Sequence, residues 1–349
     1  MNIGIIGCGN IANVHMGAYR GIENANVIAV SDIDLERAKT FAAKYKIGKS
    51  FADYGDILGL KDLDLVDICT PTSTHADIVC NAAKHGLDIL VEKPMARSTS
   101  ECERMIDETK KHESRLCICH TQLFLPSIMR AKAMVESGCY DLTSFKTSLR
   151  ASFDLLRTSG YAHNWNVSPE EKGILWEVGC HHVYLQLHFL QNVKEVYAVG
   201  SKVKYPVHDE FTVLLNTPST RYGVMEISWI SKETDVAYEL SSSDGKRAAI
   251  YPDFDYIFEK LDSPPESLAS AARSAFSDEK RVLRKWVRFG LNYFRNTKYV
   301  PHLTLIGKYV DSLRNNTSPP VTPEDGKKTI RLLESIEESL GQRRAVMNE

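Results

Sequence analysis

The sequence is short of net charge, of long apolar runs and of paired cysteines. Its 43 Lys and Arg stand against 45 Asp and Glu, a formal charge of −2. A surface without a dominant sign offers no general attraction for nucleic acid or an anionic membrane. Charges interrupt every apolar run well short of a membrane span, which excludes integral membrane contact. The chain opens on the strand-like MNIGIIG with no secretory leader pattern, so a cytoplasmic location is expected. The eight cysteines include no CxxC pair, which argues for reduced, buried thiols over a disulfide framework or metal clip. Cys117 and Cys119 alternate with apolar residues in RLCICH, as on one face of a buried strand.

What is present is the composition of a globular protein: 349 residues, 43% hydrophobic and 25% charged, a length that fits two domains. The first 120 residues alternate short apolar runs with amphipathic stretches. NIGIIG, NVIAVSD, LVDICTP, DILVEKP and RLCICHT read as strands. Between them, the segment from Asn10 to Arg20, LERAKTFAAKYK, HADIVCNAAKHG and SECERMIDETKKH read as helices. Near-continuous apolar strands interleaved with helices imply a parallel sheet covered on both faces, wound through right-handed crossovers.

On this frame Gly7-Cys8-Gly9-Asn10-Ile11-Ala12 is a GxGxxA turn between the first strand and the first helix. Gly7 permits the tight turn, Gly9 lets a pyrophosphate approach the backbone, and Ala12 allows close helix–strand packing. Asn10 and Ile11 open the helix whose N–H groups face the phosphates. Asp32 ends the second strand twenty residues after Ala12, placed to accept hydrogen bonds from a ribose and to repel a 2′-phosphate. Ser31 and Ile33 flank it with no basic residue, so NAD is expected in preference to NADP.

Three motifs then carry a family resemblance. GIIGCGNIA (4–12), CTPTSTHADIV (69–79) and VEKPMA (91–96) resemble, in order, the nucleotide-domain motifs of the Gfo/Idh/MocA oxidoreductases. The resemblance implies an N-terminal Rossmann domain, a doubly wound parallel sheet, over residues 1–122. A C-terminal α+β domain with a mostly antiparallel open sheet follows over 123–349, supplying substrate and homodimer or homotetramer contacts. The last helix is a candidate to pack back on the first domain. Thr70, Pro71, His75, Glu92 and Lys93 fall at strand ends or helix starts facing the cofactor crevice of such a sheet. The resemblance assigns Lys93 to polarising the substrate oxygen, often through a cis Lys–Pro bond, with Glu92 orienting it and His75 near the nicotinamide. Where the family frequently has Asn-x-Arg-Phe-x-Pro, this chain has Thr121-Gln122-Leu123-Phe124-Leu125-Pro126. His120 and Gln122 are the candidate replacements for the missing contacts.

Beyond residue 142 the pattern changes to strand-like segments joined by short turns: TSFKTSLRASFD, KEVYAVGSKVKY, DEFTVLLNT, RYGVMEISWIS and DVAYELSSS. Helices return at 303–314 and 323–341. GILWEVGCHHVYLQLHFL (173–190) has helical spacing, which sets Glu177 and His181 one turn apart on one face and points His182 and Cys180 elsewhere. A metal site at Cys180-His181-His182 would need ligands on one side and a distant partner motif, so no metal is expected. The family's Gly-Gly-Gly-x-Leu-x-Asp-x-Gly-x-His appears here as 171–181. That match carries the general-base role onto His181 and the accompanying acid onto Glu177. His163, Asn164 and Trp165 are candidates for lining a substrate pocket.

KRVLRKWVRFGLNYFRNTK (280–298) carries seven basic residues and no acid. A helical insertion with a solvated basic face is the preferred reading, and contact with an anionic substrate group the alternative. The expected activity is hydride transfer between NAD and a secondary hydroxyl of a sugar, cyclitol or sugar derivative. Rival readings are an NAD-retaining glycosidase-type reaction with transient sugar oxidation and a non-catalytic sugar or NAD sensor.

Overall fold

Six strands, β1 (Asn2–Ile6), β2 (Asn26–Ser31), β3 (Lys49–Phe51), β4 (Leu65–Ile68), β5 (Asp88–Val91) and β6 (Leu116–Ile118), form one sheet in the order β3-β2-β1-β4-β5-β6. Every pair in it is parallel. The computed structural model describes residues 1–158, 167–169, 171–252, 256–260 and 300–348. Ile3, Ile5, Leu65, Val66, Ile68, Ile89, Leu90 and Val91 are fully buried, as strands covered on both faces require. The crossovers are α1 (Asn10–Tyr19), α2 (Leu35–Tyr45), α3 (Tyr54–Leu58), α4 (Thr72–Lys84) and α5 (Thr99–Lys111). Side chains fix three of their starts: Asp34 accepts from Arg37 N, Asp53 from Gly55 N and Ser98 from Glu101 N. Strand order reverses between β1 and β4, and ligands of open parallel sheets lie at the carboxyl ends on either side of that point.

A 3₁₀ turn (Thr121–Phe124) and α6 (Pro126–Glu136) precede the second sheet. Its eight strands are β7 (Leu142–Ser152), β8 (Glu195–Ser201), β9 (Glu210–Asn216), β10 (Tyr222–Ser228), β11 (Ile230–Ser242), β12 (Arg247–Tyr251), β13 (Tyr256–Lys260) and β14 (Val346–Met347). Their order is β13-β12-β11-β7-β10-β9-β8-β14, antiparallel except for the β7–β10 pair. The Gln186 amide donates to Phe145 O on β7 at 3.2 Å and to Val224 O on β10 at 2.9 Å, bridging that parallel pair. Burial alternates strictly along β9, with Phe211, Val213 and Leu215 inside. The opposite face exposes Tyr197, Val199, Leu214 and Tyr222, with Tyr197 directly across from Leu214.

The remaining helices are α7 (Phe153–Thr158), α8 (Gly173–Glu177), α9 (Gly179–Leu190), α10 (Val300–Arg314) and α11 (Pro323–Gln342). Two departures from the sequence reading matter for function. Residues 173–190 are two helices, because the backbone turns at Val178 before α9 begins. The chain also groups into two compact units that do not divide at 122/123. One contains Met1–Phe124, Leu175–Tyr184 and the described residues from 300 to Glu334; the other contains the rest. Side-chain packing accounts for the regrouping. The Tyr309 hydroxyl of α10 donates within reach of Ile89 O (2.9 Å) and Arg115 O (2.6 Å), binding it to β5 and β6. Gly326 of α11 leaves room only for Met95 and Ile118, since a Cβ there would fall 2.6 Å from the Met95 sulfur. Glu334 of the same helix accepts from Thr99 at the start of α5. Among the described residues no helix is long and apolar enough to cross a membrane. The basic segment 280–298 and residues His163, Asn164 and Trp165 lie outside the described residues.

Candidate active site

The turn after β1 has the form a dinucleotide requires. Gly7 adopts φ +92°, and a Cβ on it would fall 2.6 Å from the Cys69 carbonyl oxygen, so only glycine fits. Gly9 has open space where its side chain would project. It precedes α1, whose start has no side-chain cap and no acid in its first turn. The free N–H groups of Asn10 and Ile11 and the helix dipole therefore favour an anion there, which fits the pyrophosphate of NAD. Ala12 is fully buried against the sheet.

Asp32 stands at the end of β2, where its carboxylate accepts from Cys8 N (2.9 Å) and Asp34 N (3.0 Å). These bonds tie the acid to the glycine turn, an arrangement that fits a carboxylate accepting from an adenosine ribose. Ile33 beside it is 96% exposed, an apolar wall of the kind an adenine ring covers. The basic residue that the flanking sequence does not show is supplied from α2: Arg37 Nη1 lies 3.3 Å from Asp32 Oδ1. Five residues separate the two in sequence, so the first helical turn, not adjacency, brings them together. Removing the carboxylate frees that guanidinium for a 2′-phosphate. Asp32→Ser is expected to lower the preference for NAD over NADP by ~10-fold or more in kcat/KM, roughly the value of one charge-assisted contact. Steady-state kinetics with both cofactors measures the ratio, and an unchanged ratio refutes the assignment.

At the end of β5 the Lys93–Pro94 peptide is cis. The Lys93 ammonium, 12% exposed, donates to the Glu177 carbonyl and to its carboxylate Oε1, both at 3.0 Å. Glu177 closes α8, so the lysine takes up a carbonyl left unpaired by the helix end as well as the side chain. Burial works against the ammonium's charge, but Glu177 and Glu92 more than offset it and its pKa is raised. Glu177 and His181 do not share one face of a single helix as their spacing predicts, because the break at Val178 puts them in different helices and Glu177 pairs with Lys93.

His181 lies in the first turn of α9 and is half-buried. Its Nδ1 lies 2.7 Å from the Tyr184 hydroxyl. That hydroxyl oxygen also accepts from Gln122 N at 3.0 Å. His120 stacks on the Tyr184 ring with centroids 4.3 Å apart. Burial first, and then the Lys93 charge, push the His181 pKa well below 6.5, so the ring is neutral at physiological pH. Tyr184 was not singled out in the sequence, although its i+3 spacing from His181 was a usable signal.

Lys93, Glu177, His181 and Gln122 thus belong to one compact unit. Two other candidates are buried. His120 stacks on Tyr184, and burial depresses its pKa to about 3. His75 is 1% exposed, and its ring nitrogens face Pro94 O at 3.0 Å and Thr70 O at 2.9 Å. It fastens the loop after β5 to the end of β4. Thr70 and Pro71 lie at the rim beside it, half-buried and exposed. Cys180 and His182 are buried, His182 with a pKa pushed down to about 3 by burial.

An open parallel sheet with a phosphate-type turn, a ribose-type acid and a lysine–histidine pair defines a dinucleotide-dependent oxidoreductase. The chain belongs to the GFO/IDH/MocA oxidoreductase family: residues 1–120 match its NAD-binding Rossmann fold and residues 128–247 its C-terminal domain. It is 25% identical to myo-inositol 2-dehydrogenase of Thermotoga maritima over 99% of this chain and 98% of that protein. It is 23% identical to D-apiose dehydrogenase of Paraburkholderia graminis over 98% and 88% of the two chains. Among solved structures, a levoglucosan dehydrogenase in complex with NADH superposes with a TM-score of 0.81 at 17% identity, covering 100% and 99% of the chains. An oxidoreductase from Agrobacterium radiobacter, in complex with NAD+, L-tartaric acid and magnesium, gives 0.78 at 22% over 100% and 98%. These two likenesses establish the fold.

Proposed function

We propose that this protein is an NAD-dependent dehydrogenase of a secondary hydroxyl on a sugar, cyclitol or related polyol. The observation that carries the reading is the pairing of a buried, charged Lys93 with a neutral His181 beside the end of β5. One group stabilises negative charge on oxygen and the other accepts a proton. NAD, held by the glycine turn and Asp32, supplies the hydride acceptor.

Lys93 donates to the substrate oxygen and stabilises the alkoxide that develops as the carbinol C–H bond breaks. Its ion pair with Glu177 aims the ammonium without neutralising it. His181 takes the hydroxyl proton at Nε2, which has no hydrogen-bond partner among the described residues. That requires Nδ1 to carry the ring proton and donate to the Tyr184 oxygen, leaving Nε2 with its lone pair. Glu177, 28% exposed at its side chain, is also placed to accept from a neighbouring hydroxyl, which favours vicinal diols over isolated alcohols. The names of the full-length relatives, an inositol and an apiose dehydrogenase, support a polyhydroxylated substrate. The test is NADH formation at 340 nm across a panel of cyclitols, aldoses and sugar acids. Turnover confined to simple monohydric alcohols, or none across the panel, refutes the reading.

A further inference from the structure

His15 lies in the second turn of α1 with none of its surface exposed. Its Nδ1 is 2.8 Å from Asp67 Oδ2 of β4, and its Nε2 is 2.9 Å from Glu92 Oε1 at the end of β5. Both carboxylates are themselves buried. A neutral imidazole has one N–H and one lone pair, and a lone pair set against a carboxylate oxygen at this distance is repulsive. Between two ionised carboxylates only a ring with protons on both nitrogens satisfies both neighbours. Two buried carboxylates around one imidazolium also replace two uncompensated charges by a hydrogen-bonded ion cluster.

The cluster reaches the proposed active site through Glu92. The other oxygen of that carboxylate, Oε2, accepts from Lys93 N at 3.0 Å. The peptide from which the Lys93 side chain departs is therefore held by a carboxylate that His15 holds in turn. We propose that His15 is a permanently protonated positioning residue that fixes Glu92, and through it the backbone of Lys93, for hydride transfer. This rests on Lys93 acting on the substrate oxygen.

The groups around the ring are consistent with it. Cys69 Sγ lies 3.6 Å from Nδ1 and Cys119 Sγ 3.7 Å from Nε2. The His302 ring of α10 is 5.5 Å away between centroids, and Tyr19 is buried on α1, the helix that carries His15. Burial opposes the His15 charge, but Asp67 outweighs it, through its charge and its hydrogen bond, and the pKa is raised well above 6.5. His302 is driven the other way, to about 4, by burial and by His15 itself. The His15–Glu92–Cys119 and His15–Asp67–Cys69 sets also resemble metal ligand groups. Burial first, and Asp67 next, push the Cys69 thiol up to about 12. Burial and Glu92 likewise raise Cys119 well above the usual thiol range. Both therefore keep their protons, and with protons on both ring nitrogens the positions a cation would take are filled.

The test counts ring protons in the intact protein labelled with ¹⁵N-histidine, with the His15 signal identified by its loss in His15→Gln. The expected result is one-bond N–H couplings on both ring nitrogens persisting to about pH 8, well above the ordinary histidine range. In the His15→Gln protein kcat is expected to fall by between ~10- and ~100-fold, with the dissociation constant for NAD unchanged, because the lysine is displaced and the dinucleotide turn is not. A single ring proton at that pH, a stoichiometric bound metal, or full kcat in folded His15→Gln each overturns the proposal. If His15→Gln does not fold, the proton count still decides, with assignment by elimination of the other ten histidines. Because the count involves no turnover, it fails or succeeds independently of the role given to Lys93.

Discussion

Lys93→Met lowers kcat by at least ~100-fold, about 2.7 kcal/mol of transition-state stabilisation, while the dissociation constant for NAD stays within about twofold of the wild-type value. Methionine keeps most of the aliphatic stem and removes only the donor and its charge. The glycine turn and Asp32, the proposed dinucleotide site, follow β1 and β2, whereas the lost ammonium bonds to Glu177. The same substitution moves the pH profile. The Lys93 charge helps hold the His181 pKa below 6.5, so removing it raises that pKa. The acid limb of kcat/KM, which marks protonation of the base, then shifts to higher pH. Near-normal turnover, or loss of NAD binding in parallel with kcat, contradicts the assignment. Isothermal titration with NAD and a pH–rate series measure the two effects separately.

His181→Asn lowers kcat by a comparable ~100-fold or more, because no other neutral base is available to the hydroxyl proton. Among the described residues, His120 and His75 are each 1% exposed, His120 stacked on Tyr184 and His75 set between two backbone carbonyls. In the wild-type enzyme the depressed pKa keeps the ring in its base form at pH values below 6.5, so the acid limb lies on the low side of the ordinary histidine range. In His181→Asn that limb disappears and the remaining rate rises with hydroxide concentration. A variant that retains the wild-type acid limb shows that the titrating base is another group.

The strand–helix alternation and the glycine turn were legible because each depends on local pattern: apolar runs four to six residues long, and a turn only glycine can make. Asp32 was legible for the same reason, since it ends a strand at a fixed distance from that turn. What the sequence did not disclose depends on partners distant along the chain. Arg37 reaches Asp32 through a helical turn, and Tyr184 meets His181 only because α9 starts afresh after Val178. The split of residues 173–190 into two helices escaped the periodicity argument because apolar spacing continues through the break. His15 and Asp67 each left a trace, a histidine inside a buried helix face and an acid inside the apolar run LVDICTP. Joining them required the β1–β4–β5 strand order. The regrouping of residues 175–184 and 300–334 with the nucleotide unit reflects contacts such as Tyr309 with Ile89, 220 residues apart.

The central claim is that oxidation of a substrate hydroxyl passes its hydride to NAD and releases NADH. The most direct measurement uses the first active polyol with deuterium on the carbinol carbon, and follows free NADH at 340 nm and by mass. The account predicts that NADH appears in solution in equal amount to the ketone and carries the deuterium. Product formed without free NADH, with the dinucleotide retained on the protein in its oxidised form, would contradict it and identify a transient oxidation that is reversed within each turnover.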